Sequence, residues 1–171
     1  MIPGAFTDMM LPAGYAPFNV QELGGKIYVA YAKQDAMKHD DAPGAHRGFV
    51  DVYSTHGTLL RRLINRGALN APWGLALAPA GWGSLTGKLL VGNFGDGRIH
   101  VYSPNNGRMI ATLRGKHGTL KIDGLWGLRP GNGVAGSTNA VWFSAGPNAE
   151  AHGLLGTLTM PSKHHHHHMH H

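Results

Sequence analysis

Six polar residues close to the ends of glycine-punctuated apolar runs, Asn93, Asp96, Asp123, Asn148, Glu150 and His152, carry the oxygen and imidazole donors that hold calcium or zinc. Their ordinary alternative is turn formation: Asp96 stands in Gly95-Asp96-Gly97, and Asp123 and Asn148 can cap turns through their own backbones. A second group, His39, Asp40, Asp41 and His46, packs four donors into eight residues. It suits a divalent cation or, matching no standard ligand spacing, a solvated polar loop. Three large rings, Phe18, Trp73 and Trp126, recur at intervals of 55 and 53 residues. They offer either a stacking platform for a ligand or packing between neighbouring units. The tail histidines 164–168, 170 and 171 can bind nickel, zinc or copper, whether they are a purification tag broken by Met169 or a native low-complexity tail. No nucleophile and base pair accompanies any of these groups. Residues 92–97 (GNFGDG) join two strands and open no helix, so they do not read as a phosphate loop.

The elements that position these residues follow from composition. The chain has 171 residues, 26 glycines and only 14% charged residues, a balance that favours short strands and many turns over solvated helices. It has no cysteine, so disulfides and thiolate metal sites are excluded and the redox compartment stays open. No apolar run approaches the roughly 20 residues of a membrane-spanning helix, and residues 1–17 lack the basic and apolar regions of an export signal. The net charge of +6 is spread over Arg61, Arg62, Arg66, Arg108, Arg114, Lys116 and Lys121 without interleaved aromatics, which points to a solvated rim and away from a nucleic-acid surface.

Residues 87–103 (GKLLVGNFGDGRIHVYS) are the clearest copy of a repeating unit: an apolar strand, a glycine turn in which Gly95-Asp96-Gly97 supplies the positive-φ positions, and an alternating strand. Innermost strands are expected near Phe18, Trp73 and Trp126, second strands at 25–32, 87–94 and 139–146, and third strands at 48–54, 97–103 and 152–158. Fourth strands are expected at 58–64 and 108–114 only. Four strands every ~50 residues is the pattern of a propeller blade. The fold expected is therefore all-β: a β-propeller segment of three four-stranded antiparallel blades, half of a six-bladed propeller. It occupies residues 1–160, with repeats at about 5–64, 65–115 and 116–160, followed by a disordered histidine-rich tail at 161–171. The third unit lacks a fourth strand, and residues 5–8 are a spare strand at the other end.

The strings at 11–19 (LPAGYAPFN), 39–41, 69–79 (LNAPWGLALAP), 90–97, 122–128 (IDGLWGL) and 145–153 (AGPNAEAHG) together resemble an uncharacterised family of exported bacterial propeller proteins, similar in pattern to NHL-repeat proteins. The resemblance covers about residues 5–158, and family members are roughly twice this length. It implies a C-terminal half, an exported (periplasmic or extracellular) setting, and no established activity. Some propeller lactonases hold calcium or zinc with a carboxylate, asparagines and an aspartate at the channel mouth, which implies Asn93, Asp123, Asn148, Glu150 and His152 for such a site here.

Two functions are thus expected. The first is a non-enzymatic binding or structural module, because rigid blades and variable loops supply surface. The second is a metal-dependent hydrolase of the lactonase kind. Three blades do not close a ring, so the partner expected is a second copy, placed head to tail with the spare strand exchanged, or an N-terminal half supplied by a longer chain.

Overall fold

The computed structural model describes residues 6–34, 44–131, 138–146 and 153–160. Apart from one 3-10 turn at Gly83–Leu85, its regular structure is β throughout. The first sheet is a meander of β1 (Tyr15–Leu23), β2 (Lys26–Lys33), β3 (Phe49–Tyr53) and β4 (Leu59–Asn65). The second repeats it with β5 (Pro72–Leu77), β6 (Leu89–Asn93), β7 (Ile99–Tyr102) and β8 (Met109–Thr112). A ribbon of β9 (Arg114–Gly115) and β10 (Gly118–Thr119) follows, and the third sheet contains β11 (Leu125–Pro130), β12 (Val141–Ala145) and β13 (Leu154–Leu158). All pairings between these strands are antiparallel.

Alternation along the strands sorts side chains onto two faces, and successive sheets stack through them. Tyr28, Ala30, Val50 and Val52 of the first sheet pack with Leu75, Leu89, Val91 and Tyr102 of the second. The opposite face of the second sheet, with Ala76, Leu90, Ile99 and Val101, packs with Leu125, Leu128, Val141 and Ala145 of the third. Connecting segments run between the sheets and contribute Leu69 to the first seam and Leu113 and Ile122 to the second. Innermost strands approach closely. The Asn19 side-chain amide donates to the Trp73 carbonyl, and a Cβ on Gly74 would lie 2.7 Å from the Trp126 carbonyl oxygen.

Four details depart from expectation. Three sheets of four strands were expected; the described residues form two sheets of four strands, one of three and the two-stranded β9–β10 ribbon, and none is closed. The fourth strand expected at 108–114 stops at Thr112, because the chain turns into the β9–β10 ribbon and buries Leu113 in the seam. Of the turn expected at 95–97, only Gly97 takes a positive φ, 72°, where a side chain would also meet the Ile122 backbone. Phe6, Thr7 and Asp8 are not the spare strand. Phe6 has a φ of 56°, its amide donates to the Gly57 carbonyl at 2.8 Å, and its ring lies 5.5 Å from Tyr53.

The register of β13 also differs. Tyr53 lies opposite Ile27 and Tyr102 opposite Leu89, and the matching residue opposite Val141 is Leu158, where the repeat alignment placed Thr157. A slip of one residue exchanges the faces. Gly156 consequently occupies the position held by Asp51 and His100, and the Phe143 ring crosses it, 2.5 Å from where a Cβ would stand.

Candidate functional site

Phe18, Trp73 and Trp126 lie near the starts of β1, β5 and β11, each half-buried. They do not form one continuous platform. Phe18 meets Trp73 at 5.5 Å between ring centroids, whereas Trp126 stacks on Phe94 at 6.3 Å with 13° between planes. Each pair joins neighbouring sheets. Phe94, at the end of β6, carried no signal beyond its place in the GNFGDG string.

Asn93 is fully buried, and both of its side-chain polar atoms are engaged. Nδ2 donates to the Ala68 carbonyl at 2.9 Å, and Oδ1 accepts from the Asn70 amide at 3.1 Å. Arg47 pairs with Asn70 in a β-bridge, so this amide clamps the connection between the first two sheets. Where a metal site needed an open ligand, the residue is a structural tie. Asp96 accepts from the Arg98 amide at 3.0 Å and faces the Arg98 guanidinium at 3.6 Å, as a turn aspartate does. Asp123 is exposed at the turn before β11, and His46 Nδ1 lies 2.6 Å from the Gly67 carbonyl oxygen. His39, Asp40, Asp41, Asn148, Glu150, His152 and the tail histidines lie outside the described residues. Among the described residues no group of three or more His, Asp or Glu side chains is placed to share a metal ion.

The densest polar cluster joins residues far apart in sequence. It lies on the outer face of the first sheet, the face turned away from the second. Phe49, Asp51 and Tyr53 alternate onto that face along β3, opposite Tyr31, Val29 and Ile27 of β2. A carboxylate on an otherwise apolar face must be paired. Arg62 of β4 lies opposite Asp51, with Nε 3.6 Å from Asp51 Oδ1, while its Nη2 forms an ion pair with Asp8 Oδ2. The Tyr53 hydroxyl donates to Asp51 Oδ2 over 3.4 Å, and the Tyr31 and Tyr53 hydroxyls are 2.6 Å apart. The Arg62 guanidinium also stacks over Phe49 at 4.7 Å.

Burial, together with the adjacent Asp8 carboxylate, pushes Asp51 up to about 7, and Arg62 offsets this only in part. Asp8 moves the other way. Burial raises it, but hydrogen bonds from Asp51, Arg62 and the Met10 amide outweigh that and hold it below its ordinary value. The pair is therefore more readily protonated at Asp51, which is raised, than at Asp8, which is lowered. Burial also pushes the Tyr31 and Tyr53 phenols up, so both remain neutral donors.

Beside this cluster, between residues 6–11 and the sheet, is a cavity of about 540 Å³. Phe6, Leu11, Val20, Val29 and Tyr31 supply most of its wall, and Asp8 reaches it at one side. The cluster was missed in sequence because Asp8, Asp51 and Arg62 share no motif. The available signal was Asp51 itself, the one acidic residue in an alternating apolar strand.

No family model matches the chain. Two uncharacterized proteins of Acanthamoeba polyphaga mimivirus are similar to it. One is 38% identical over 152 residues, covering 86% of this chain and 39% of the relative; the other is 36% identical over 154 residues, covering 89% and 38%. The chain thus spans about two fifths of the length of the curated relatives it matches. In structure it resembles a protein of unknown function from Bacteroides caccae, with a TM-score of 0.52, 16% identity, and coverage of 92% of this chain and 47% of that one. This likeness is one of fold.

Proposed function

We propose that this chain is a structural and binding module, a segment of a β-propeller whose successive sheets pack face to face and present their loops as surface, without a catalytic centre of its own. The observation that carries the reading is the use made of Asn93. Asn93, one of the two asparagines expected as ligands in a metal-dependent hydrolase, spends both polar atoms on tying β6 to residues 68–70. The inner-strand aromatics support the same reading, since each ring meets one from the adjacent sheet.

Asn93→Ala in the full chain tests it, with the histidine tail contributing equally to both proteins. The structural reading expects a loss of about 2–4 kcal/mol in urea unfolding, from two buried hydrogen bonds and the groups they leave unpaired. It also expects bound calcium and zinc, and turnover of a lactone panel, to be the same in both. If the substitution instead removes one equivalent of metal, or a lactonase activity present in the parent chain, the module reading is wrong and the hydrolase reading replaces it.

A further inference from the structure

The outermost strands of the first two sheets interrupt their ladders at the same place. In β4, Val52 lies opposite Arg61 and Tyr53 opposite Leu59, so Leu60 is an extra residue with no partner across the ladder. In β8, Val101 lies opposite Ala111 and Tyr102 opposite Met109, so Ile110 is the extra residue. A bulge of this kind bends an edge strand and re-aims a side chain. Here an apolar one is re-aimed in both sheets: Leu60 is 51% and Ile110 45% exposed, and their neighbours Leu59 and Met109 are exposed as well. Edge strands commonly turn charged side chains outward to keep other chains away, and at these two bulges the side chain turned outward is aliphatic.

The two bulges belong to one stretch of surface. The Arg61 guanidinium donates to the Asn105 carbonyl in the turn before β8, and that turn lies so close to β4 that a Cβ on Gly107 would collide with the Leu63 carbonyl. The charge here has a single sign. Arg61 follows Leu60, Arg108 precedes Met109, and Arg114 and Lys116 follow β8, all of them exposed. No acidic residue occurs between Asp51 and Asp96 or between Asp96 and Asp123 in the sequence, and Asp51 is buried. Sheets stack through their faces in this fold, so stacking leaves the outer edges of β4 and β8 open.

We propose that this rim docks on an anionic lipid surface, with Leu60 and Ile110 entering the headgroup region and the basic side chains beside them meeting lipid phosphates. Charge complementarity selects the partner. Binding to a membrane surface adds buried apolar area to attraction for anionic lipid, and the rim offers both in the same place. A nucleic acid would use the charge but leave the aliphatic side chains idle, since it is held by phosphate contacts and aromatic stacking. The proposal gives the binding module a partner and so rests on that reading, but vesicle binding can fail while Asn93→Ala still behaves as the loss of a structural tie.

The test is flotation of the full chain with vesicles of equal parts phosphatidylcholine and phosphatidylglycerol, at pH 8 in EDTA, where the tail histidines are neutral and free of metal. The chain should bind these about tenfold more tightly than vesicles of phosphatidylcholine alone, and less tightly as salt is raised. Leu60→Ser combined with Ile110→Ser should weaken binding about tenfold with an unchanged far-ultraviolet spectrum, because neither residue is paired in the ladder. Arg108→Gln should weaken it about fivefold, and carries the test alone if the double variant fails to fold. The proposal is overturned if the chain binds neither vesicle, if it binds both equally, or if neither variant weakens binding. It is also overturned if single-stranded RNA binds in place of the vesicles and the serine variant retains that RNA, which would make the rim a nucleic-acid surface.

Discussion

Asp51 and His100 hold the same place in two successive sheets. Each stands in the third strand opposite a valine, Val29 or Val91, on the backward-looking face, and each is buried, 0% and 6% exposed. Their surroundings differ in one respect. His100 lies in the seam between the first and second sheets, where its Nδ1 meets the Thr112 hydroxyl at 2.8 Å and its ring lies edge-on to Tyr102. Burial lowers its pKa, so it remains neutral. Asp51 lies on the outer face, where Arg62, Asp8, Tyr53 and Tyr31 assemble from three strands and the segment before β1. A position covered by a neighbouring sheet is satisfied by one neutral partner. The same position beneath residues 6–11 holds a carboxylate that is met by Arg62, whose side chain keeps 22% of its surface open to water while those of Asp51 and Asp8 are sealed at 0% and 2%.

The largest effect should come from breaking the charged version. Arg62→Met removes the only cation that faces both carboxylates among the described residues, and should cost about 3 kcal/mol in urea unfolding at neutral pH. Gly156, the third member of the series, comes next. Ala at this position drives a Cβ into the Phe143 ring and should cost about 2 kcal/mol, unless the ring swings toward β13. Thr112→Val tests the neutral version and should cost about 1 kcal/mol by removing the single partner of His100 Nδ1.

The most discriminating effect is in the pH dependence. Asp51 in the folded chain, at about 7, lies above its ordinary 3.8, so folding takes up a proton there. Its contribution to stability is full below about pH 4 and is lost as the pH rises to 7. His100 lies below its ordinary 6.5, so its contribution is full above 6.5 and is lost as the pH falls. Urea midpoints taken between pH 4 and 8 should therefore show opposite slopes. Against Asp51→Asn, the parent chain should lose ground with rising pH; against His100→Gln, it should lose ground with falling pH. Parallel slopes would show that the two positions do not differ in protonation.

Most of the sheet architecture was legible because its signals are local. Each second strand follows a glycine turn in the sequence, and the third strands of the first two units share one pattern, Val-Asp-Val-Tyr and Ile-His-Val-Tyr, which sets Val50 and Val52 or Ile99 and Val101 on one face. The phase of β13 was not legible. Leu154 and Leu155 are adjacent and equally apolar, so alternation fits either register, and the deciding contact is with Phe143 on another strand. The site was less legible than the fold. Asn93 was found as a polar residue at a strand end, but its role depends on residues 68–70, which adopt their position only when two sheets meet. The pairing of Asp8 with Arg62 spans 54 residues, and no periodicity encodes it.

The second sheet alone among the three is covered on both faces, and this bears on how the molecule comes apart. The amides of β6 and β7 are paired on both sides and roofed above and below by Leu69 and Ile122 with the sheets they join. They can reach water only when a whole seam parts, whereas β13, among the described residues, has a strand partner on one side alone. In amide exchange the chain should thus read as a gradient with its slowest hydrogens at its middle, and the same gradient sets the order in which a protease would find its first cut.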